Sequence, residues 1–502
     1  MMSSPVKSIN ILLMQAPINI KQEDANYFGT YPPLGLAYIA AVLEQEGYTV
    51  AILDCQGEAA KTRIEEDNGL VRIGIGDREI IQRLKNFSPD VVGVGNMFTS
   101  FSEDCLALAR LVRSVLPEVL LVMGGAHATI AFEDVLHDEA CDAVVLGEGE
   151  FIMRDLVAAY ASGDNDAMRK LPGTVWKARE RLINNGYPGP IKDIDQLPFP
   201  AYHLMPMEKY IWQRHANFSV SRRWPIAHMI TTRGCLYNCL FCSTKRHYKK
   251  FRARSPESII EEMQLLIDRY GVREFHFHDD SFMSKANRVR ALCELMIKHK
   301  LDVCWQVSQG INSVGLDEEL LTLMHKAGMY RVGFPIESGH PDILRFIRKP
   351  VRLEQVKKLI VKCNELGIYS FGCFMVGFPN ETRGQIKSTM NFVLDSGLDY
   401  AKVSIVQPLA GSELYGIYEE LGLVGPTPQH GSTYFHTEYD TLHLKAEELN
   451  KIRSSLMRRF ALKRIMRMLT LSGLKQYMLP KLRTVEDCMY FIRMVWLALR
   501  GT

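Results

Sequence analysis

Residues 228–246 read His-Met-Ile-Thr-Thr-Arg-Gly-Cys-Leu-Tyr-Asn-Cys-Leu-Phe-Cys-Ser-Thr-Lys-Arg. Cys235, Cys239 and Cys242 stand at spacing C-x3-C-x2-C, just after a short apolar run (His228–Ile230) that ends a strand. Gly234 and Asn238 lie beside and among them, so the segment is a loop able to fold back on itself. Three thiolates on one such loop can hold three corners of a [4Fe–4S] cube, leaving the fourth iron open to a small molecule. The same trio with His247 as fourth donor would instead close a tetrahedral zinc site.

Outward from this loop, about residues 226–425, short apolar runs alternate with amphipathic helical stretches. Strands are expected at 274–278, 303–307, 330–334, 369–376 and 400–406, with helices between them. Each strand ends in polar or glycine-rich punctuation: Asp279-Asp280-Ser281-Phe282, Gln309–Asn312, Ile336-Glu337-Ser338-Gly339, Gly377-Phe378-Pro379-Asn380-Glu381-Thr382 and Gln407–Ser412. With the strand before the cysteines this makes six, a partial (β/α)6 barrel whose site lies at the C-terminal strand ends. Asp279, Asp280 and Glu337 could equally cap helices or sit in solvated loops, and Gly377 could serve a turn alone.

The preceding stretch, about residues 7–165, has the same rhythm: strands at 9–14, 49–53, 91–95, 120–123 and 143–146 alternate with helices. Five buried strands with intervening helices fit a flavodoxin-like, doubly wound parallel sheet. Ligands on such a sheet bind beyond the strands' carboxyl ends. Those ends carry Asp54, Thr99-Ser100, Gly124-Gly125-Ala126-His127 and Gly147-Glu148-Gly149-Glu150. A bare α/β scaffold, or one for another nucleotide-like ligand, has the same look. Residues 166–225, with Pro172, Pro188, Pro190, Pro198 and Pro200, read as a linker.

The remaining composition is that of an ordinary globular chain: 502 residues, 47% hydrophobic, 23% charged, net charge +3. That charge is too small to imply nucleic acid. The eleven cysteines include several single ones in apolar segments, as in a reducing cytoplasm. Residues 426–502 are helical. Ten Lys or Arg and no acidic residue lie between Lys451 and Arg483, interleaved with Leu456, Phe460, Ile465 and Leu469. Such a helix suits a membrane surface, a lid over an anionic substrate, or a solvated face packed on the barrel. No run is long enough to span a bilayer.

The cysteine spacing, with aromatic Phe241 before the last cysteine, resembles the signature of the radical S-adenosylmethionine (SAM) superfamily. In that family the motif matching Asp279-Asp280 lies near the methionine end of SAM, Glu337-Ser338 near its carboxylate or ribose, and Gly377 near adenine. The usual glycine before Ile-Glu-Ser-Gly is Pro335 here. The N-terminal stretch, through Tyr31-Pro-Pro-Leu-Gly, Gly-Gly-Ala-His-Ala-Thr and Gly-Glu-Gly-Glu, resembles the cobalamin-binding domain that precedes many such barrels. Cobalamin domains with a histidine on cobalt carry D-x-H-x-x-G. Here the stretch is Asp54-Cys55-Gln56-Gly57-Glu58-Ala59, so no histidine is expected on cobalt from this loop. The resemblance implies a corrinoid near Thr99, Ser100, the Gly124–His127 turn and Gly147-Glu148.

It further implies a cobalamin-dependent radical SAM C-methyltransferase using a [4Fe–4S] cluster, SAM and cobalamin on a small-molecule, lipid-like or tetrapyrrole substrate. An external donor of flavodoxin or ferredoxin type would supply electrons. No nucleic acid is expected, and the protein would be cytoplasmic or membrane-associated through its C-terminal helices. Oxidation, cyclisation or ring rearrangement with the same cofactors is the alternative. A non-catalytic zinc or corrinoid-binding protein is the alternative of another class. A methylthiotransferase is disfavoured for want of a second cysteine trio.

Overall fold

The computed structural model describes residues 9–22, 29–59, 63–65, 69–179, 181–212, 215–216, 219–409, 411–424 and 435–500. Residues 7–8, Ala410 and residues 425–434, included in the expectations above, lie outside them. The chain divides into two compact units, mainly residues 1–218 and 219–502.

The first unit is built on strands β1 (Asn10–Gln15), β2 (Thr49–Asp54), β3 (Val91–Gly95), β4 (Leu120–Gly124) and β5 (Ala143–Val145). Their spatial order is β2-β1-β3-β4-β5, all parallel, which is the flavodoxin-like order. Alternate residues bury on opposite faces: Leu12, Val92 and Met123 enter one core, Ile11, Val91 and Val122 the other. Both faces are covered, so the strands read as continuous apolar runs rather than alternating ones. Helix α1 (Leu34–Gln45) starts behind Pro33, and Gly47 follows it at φ +83°.

The span expected as a linker is not one throughout. Thr174–Ala178 (β6) and Arg181–Asn184 (β7) extend the sheet beyond β5 as an antiparallel hairpin. Val175 and Trp176 of β6 are fully buried, and that burial holds the hairpin on the sheet despite its neighbouring prolines. A small antiparallel sheet of residues Ile18–Lys21, Leu70–Ile73 and Arg63–Glu65 was also not foreseen.

The second unit carries six parallel strands in sequential order: β8 (Ile226–Met229), β9 (Glu274–Phe277), β10 (Cys304–Val307), β11 (Met329–Glu337), β12 (Tyr369–Val376) and β13 (Tyr400–Ile405). Each pair is joined by at least one helix, the pattern of a partial (β/α)6 barrel. The helices are signalled locally. Ser255 caps α2 (Pro256–Tyr270), with Pro256 at its first turn and Gly271 left-handed at its end. Thr382 and Gln385 form a capping box at α3 (Arg383–Asp395). The longer helices after β13 are α4 (Glu413–Glu420), α5 (Ala446–Met468) and α6 (Val485–Arg500), with short helical turns between α5 and α6.

Candidate active site

The cysteine loop leaves the C-terminal end of β8 and is fixed at two points. At its root, buried Asp279 accepts from Thr231 N (2.6 Å), Thr232 N (2.7 Å) and Thr231 Oγ1 (2.5 Å). Buried Arg288 donates in turn to Thr231 O (2.9 Å) and Oγ1 (2.6 Å). Burial pushes the Asp279 carboxyl above its usual range, and the Arg288 charge and these hydrogen bonds pull it back. Thr232–Arg233 then pairs antiparallel with Arg252–Ala253 and closes the loop into a clasp. Midway, Leu240 is buried. Its N–H donates to Ile347 O (3.1 Å) and its C=O accepts from Leu414 N (3.0 Å). Its side chain enters a core with Ile343, Phe378 and Leu414, with half-buried Phe241 packed beside it.

On this frame Cys235 and Cys239 are half-buried and Cys242 is exposed, all as free thiols. Among the described residues no three His, Cys, Asp or Glu side chains converge as a single-ion site would require. Thiolates on a cube need not converge, since each takes a separate corner. His247, buried against the Tyr248 ring, belongs to no such group. The trio of free sulfur donors on an anchored loop, two half-buried and one exposed, fits a [4Fe–4S] cluster. Burial pushes the Cys239 thiol up to about 11, and the Lys349 ammonium works against that push.

Lys349 joins the cysteines to the next motif. Its Nζ lies 3.0 Å from Glu337 Oε1, and only about a tenth of either side chain is exposed (10% and 9%). Glu337 sits at φ +69°, where the β11–β12 register shifts between Pro335 and Glu337. A non-glycine residue held left-handed at a strand end is strained backbone of the kind found at ligand sites. Asp280 is exposed, with its carboxyl close to Asp279 and the backbone of Gly234. Burial, then the Asp279 charge, raise it to about 6, and a hydrogen bond from Gly234, next to Cys235, opposes them.

Ser338 faces inward instead. It is fully buried, 3.1 Å from Thr389 Oγ1, and accepts from His340 N. Gly377, at φ +90°, donates to buried Glu381 (2.7 Å), and a Cβ there would lie 3.0 Å from Leu449. Cysteines, Asp280, Glu337 and Gly377 therefore lie at strand C-terminal ends, whereas Asp279 and Ser338 act as fasteners of that rim.

Phe277 and Trp305 pack with Phe282 on the helix side, which leaves the alternate residues of these strands facing the lumen. There His276 and Glu274 pair at 2.6 Å, and Gln306 Nε2 reaches His276 at 2.9 Å. His228 Nδ1 lies 2.7 Å from His278 Nε2. Burial depresses both rings, His278 to about 3, so the pair is neutral. Higher in the lumen Cys373 lies in the combined field of Glu337, Lys402, Lys349 and Arg331.

In the first unit the strand ends make a small-residue cradle. Gly125, at φ +109°, would place a Cβ 2.6 Å from Asn96 O, and a Cβ on Gly147 would collide with the Tyr187 ring. Thr99 Oγ1 lies 3.0 Å from His127 Nδ1, and burial lowers that ring's pKa. Ser100 is half-buried, and Glu148 accepts from Ile191 N at 3.0 Å. Met97 and Phe98 stand exposed directly before Thr99, apolar side chains beside the polar cradle. Gln56 is turned away, with Nε2 bonded to Ala16 O at 2.7 Å. Asp54 caps the turn at Gly57 N and bonds the Tyr210 hydroxyl. Met97, Phe98, Tyr210 and Lys349 were missed in the sequence. The exposed apolar pair at a strand end was the readable signal among them.

The model for the radical SAM superfamily matches residues 229–393, and that for the B12-binding domain residues 24–157. A cytidylyl-2-hydroxyethylphosphonate methyltransferase of Streptomyces wedmorensis is 34% identical over 430 residues, 79% of each chain. The chain belongs to the cobalamin-dependent radical SAM methyltransferase family. A [4Fe–4S] cluster, SAM and cobalamin are the cofactors of this methyltransferase. The enzyme is also similar to an anaerobic magnesium-protoporphyrin IX monomethyl ester cyclase of Rubrivivax gelatinosus, 28% identical over 80% of this chain and 69% of that one. The methyltransferase TsrM of Kitasatospora setae, solved with tryptophan substrate and a SAM analogue, superposes with a TM-score of 0.67. The match covers 96% of this chain and 92% of that one. At 17% identity this likeness speaks to the fold.

Proposed function

We propose that this methyltransferase places a methyl group on an unactivated carbon of an anionic small molecule held in the barrel lumen. The observation that carries this is the cysteine loop itself, clamped by Asp279 and Leu240 at the rim with its three thiols open. When bound, the cluster with SAM supplies hydrogen abstraction, and the corrinoid supplies the methyl group. The chain's own residues would position these parts. Cys235, Cys239 and Cys242 hold the cluster. Asp280 and Glu337, the latter fixed by Lys349, receive the methionine end of SAM, and the Gly377–Phe378 turn receives adenine. Thr99, Ser100, Gly124, Gly125, His127, Gly147 and Glu148 receive the corrinoid tail, with Met97 and Phe98 against its ring.

The substrate class rests on the lumen wall. Lys402 stands opposite Cys373 in the β12–β13 register, Arg331 lies over the Phe371 ring of β12 at 4.7 Å, and Lys349 pairs with Glu337 at the end of β11. Such a wall favours a phosphoryl, phosphonyl or carboxylate group over an uncharged lipid. The relative named for a cytidylyl phosphonate is consistent with that chemistry. An external one-electron donor of flavodoxin or ferredoxin type completes the system. Oxidative cyclisation is the second reading, favoured by the cyclase relative.

The test is anaerobic reconstitution followed by incubation of candidate anions and extracts with SAM bearing a deuterated methyl group. A product heavier by one labelled methyl group supports the proposal. A product that has lost hydrogen or gained oxygen, without label, supports cyclisation or oxidation and overturns it.

A further inference from the structure

Helix α5 is apolar on two sides. Leu449, Leu456 and Phe460 are buried, while Leu462, Ile465, Met466 and Leu469, at i, i+3, i+4 and i+7, form an outward stripe. Leu469 is 81% exposed, and Leu471 continues the stripe. On α6, Val485 (82% exposed), Met489 and Ile492 form a second outward stripe at i, i+4 and i+7. Nine of the 21 large apolar side chains exposed among the described residues fall within residues 462–492, a concentration rather than scatter.

Its position is fixed within the second unit. Helix α3 starts at the C-terminal end of β12 and ends at Asp395, which pairs with Lys463 at 2.5 Å. Arg467 donates to Leu394 O nearby. Tyr490 of α6 packs on Tyr330 and Tyr369, near the starts of β11 and β12. The patch therefore covers the N-terminal end of the barrel, opposite the cysteine loop. That position is wrong for a substrate lid and for an electron donor, which must approach the cluster. Arg458, Arg459, Lys475 and Arg483 are exposed beside it, whereas the acidic Asp395, Glu486 and Asp487 are ion-paired with Lys463, Arg223 and Arg222, so the unneutralised charge at this end is positive.

We propose that this end of the barrel is a docking surface for an anionic lipid membrane. The apolar stripes enter the headgroup boundary and the flanking cations meet lipid phosphates. No described helix is long and apolar enough to cross a membrane, so attachment is peripheral. The cysteine loop faces away from the lipid, so attachment does not require a lipid substrate. The inference is independent of the proposed methyl transfer, because vesicle binding needs neither substrate nor turnover.

The experiment is sedimentation of the full-length protein with phosphatidylcholine vesicles, with and without phosphatidylglycerol. The expected result is salt-sensitive binding to the anionic vesicles. Ile465→Glu/Leu469→Glu should lower the bound-to-free ratio on the order of tenfold or more. Leu265→Glu, at an exposed leucine elsewhere, should leave it unchanged, with the same circular dichroism and cluster content in each variant. Wild-type protein indifferent to anionic vesicles overturns the proposal. So does a concentration-dependent dimer that Leu469→Glu dissociates without any vesicle binding, which would make the patch a contact between copies of the chain.

Discussion

Asp279→Ala separates a structural role for this carboxylate from the SAM contact that the family resemblance implies. The wild-type carboxylate is completely buried and accepts three short hydrogen bonds, two from backbone amides of the loop root. Truncation leaves Thr231 N and Thr232 N as buried donors without an acceptor, at about 1–3 kcal/mol each. It also removes the carboxylate whose charge acts with buried Arg288. Because these costs overlap, the net loss is about 3–5 kcal/mol, or a fall in Tm on the order of 10 °C for a unit of this size. The loop root should open, and iron retained after anaerobic reconstitution should fall with stability. Asp279→Asn keeps one oxygen for both amides but loses the Thr231 hydroxyl bond and the charge acting with Arg288, so its net loss is smaller, about 2–3 kcal/mol. Thermal unfolding and iron analysis of both variants decide the matter. Wild-type Tm and full iron content in Asp279→Ala, with SAM affinity alone reduced, would refute the clamp.

Glu337→Gln breaks a nearly buried ion pair and leaves Lys349 charged, so the KM for SAM should rise at least tenfold with a smaller change in kcat, read by 5′-deoxyadenosine formation. Gln56→Ala should leave the cob(II)alamin electron paramagnetic resonance spectrum unchanged, and wild-type protein should show no histidine nitrogen splitting; such splitting would contradict the turned-away loop. Acid should destabilise the barrel through His228 and His278, whose folded pKa values lie below the unfolded value near 6.5. Above about pH 6.5 neither state is protonated. Below it the unfolded chain gains protons first, so stability falls by about 1.4 kcal/mol per pH unit for each ring until its folded pKa is reached. Denaturant unfolding of His228→Gln between pH 5 and 7 should show a shallower slope than wild type.

Much of the architecture was legible because parallel strands buried on both faces leave short apolar runs, as at Val91–Gly95 and Tyr369–Val376. The hairpin at Thr174–Asn184 was not, because it lies among loop-forming residues and only Val175 and Trp176 reveal burial. The cysteine loop stands out in the sequence because Cys235, Cys239 and Cys242 lie within eight residues on one segment. The division of labour around them was not. Asp279 and Asp280 are adjacent, yet one is wholly enclosed and the other exposed, and only the path of Thr231-Thr232 decides which. Lys349 could not be found from sequence, because its partner Glu337 reaches it only through the register shift and left-handed backbone at the end of β11. The terminal helix was read as one basic amphipathic helix; its two apolar faces emerge only when one of them packs on the barrel.

The most direct measurement is iron and 5′-deoxyadenosine in anaerobically reconstituted wild-type and Cys239→Ala protein, with circular dichroism as the folding control. The account predicts about four irons per wild-type chain and cleavage of SAM. It predicts that both are lost in a Cys239→Ala variant that remains folded. Normal iron content and undiminished SAM cleavage in that variant would contradict it.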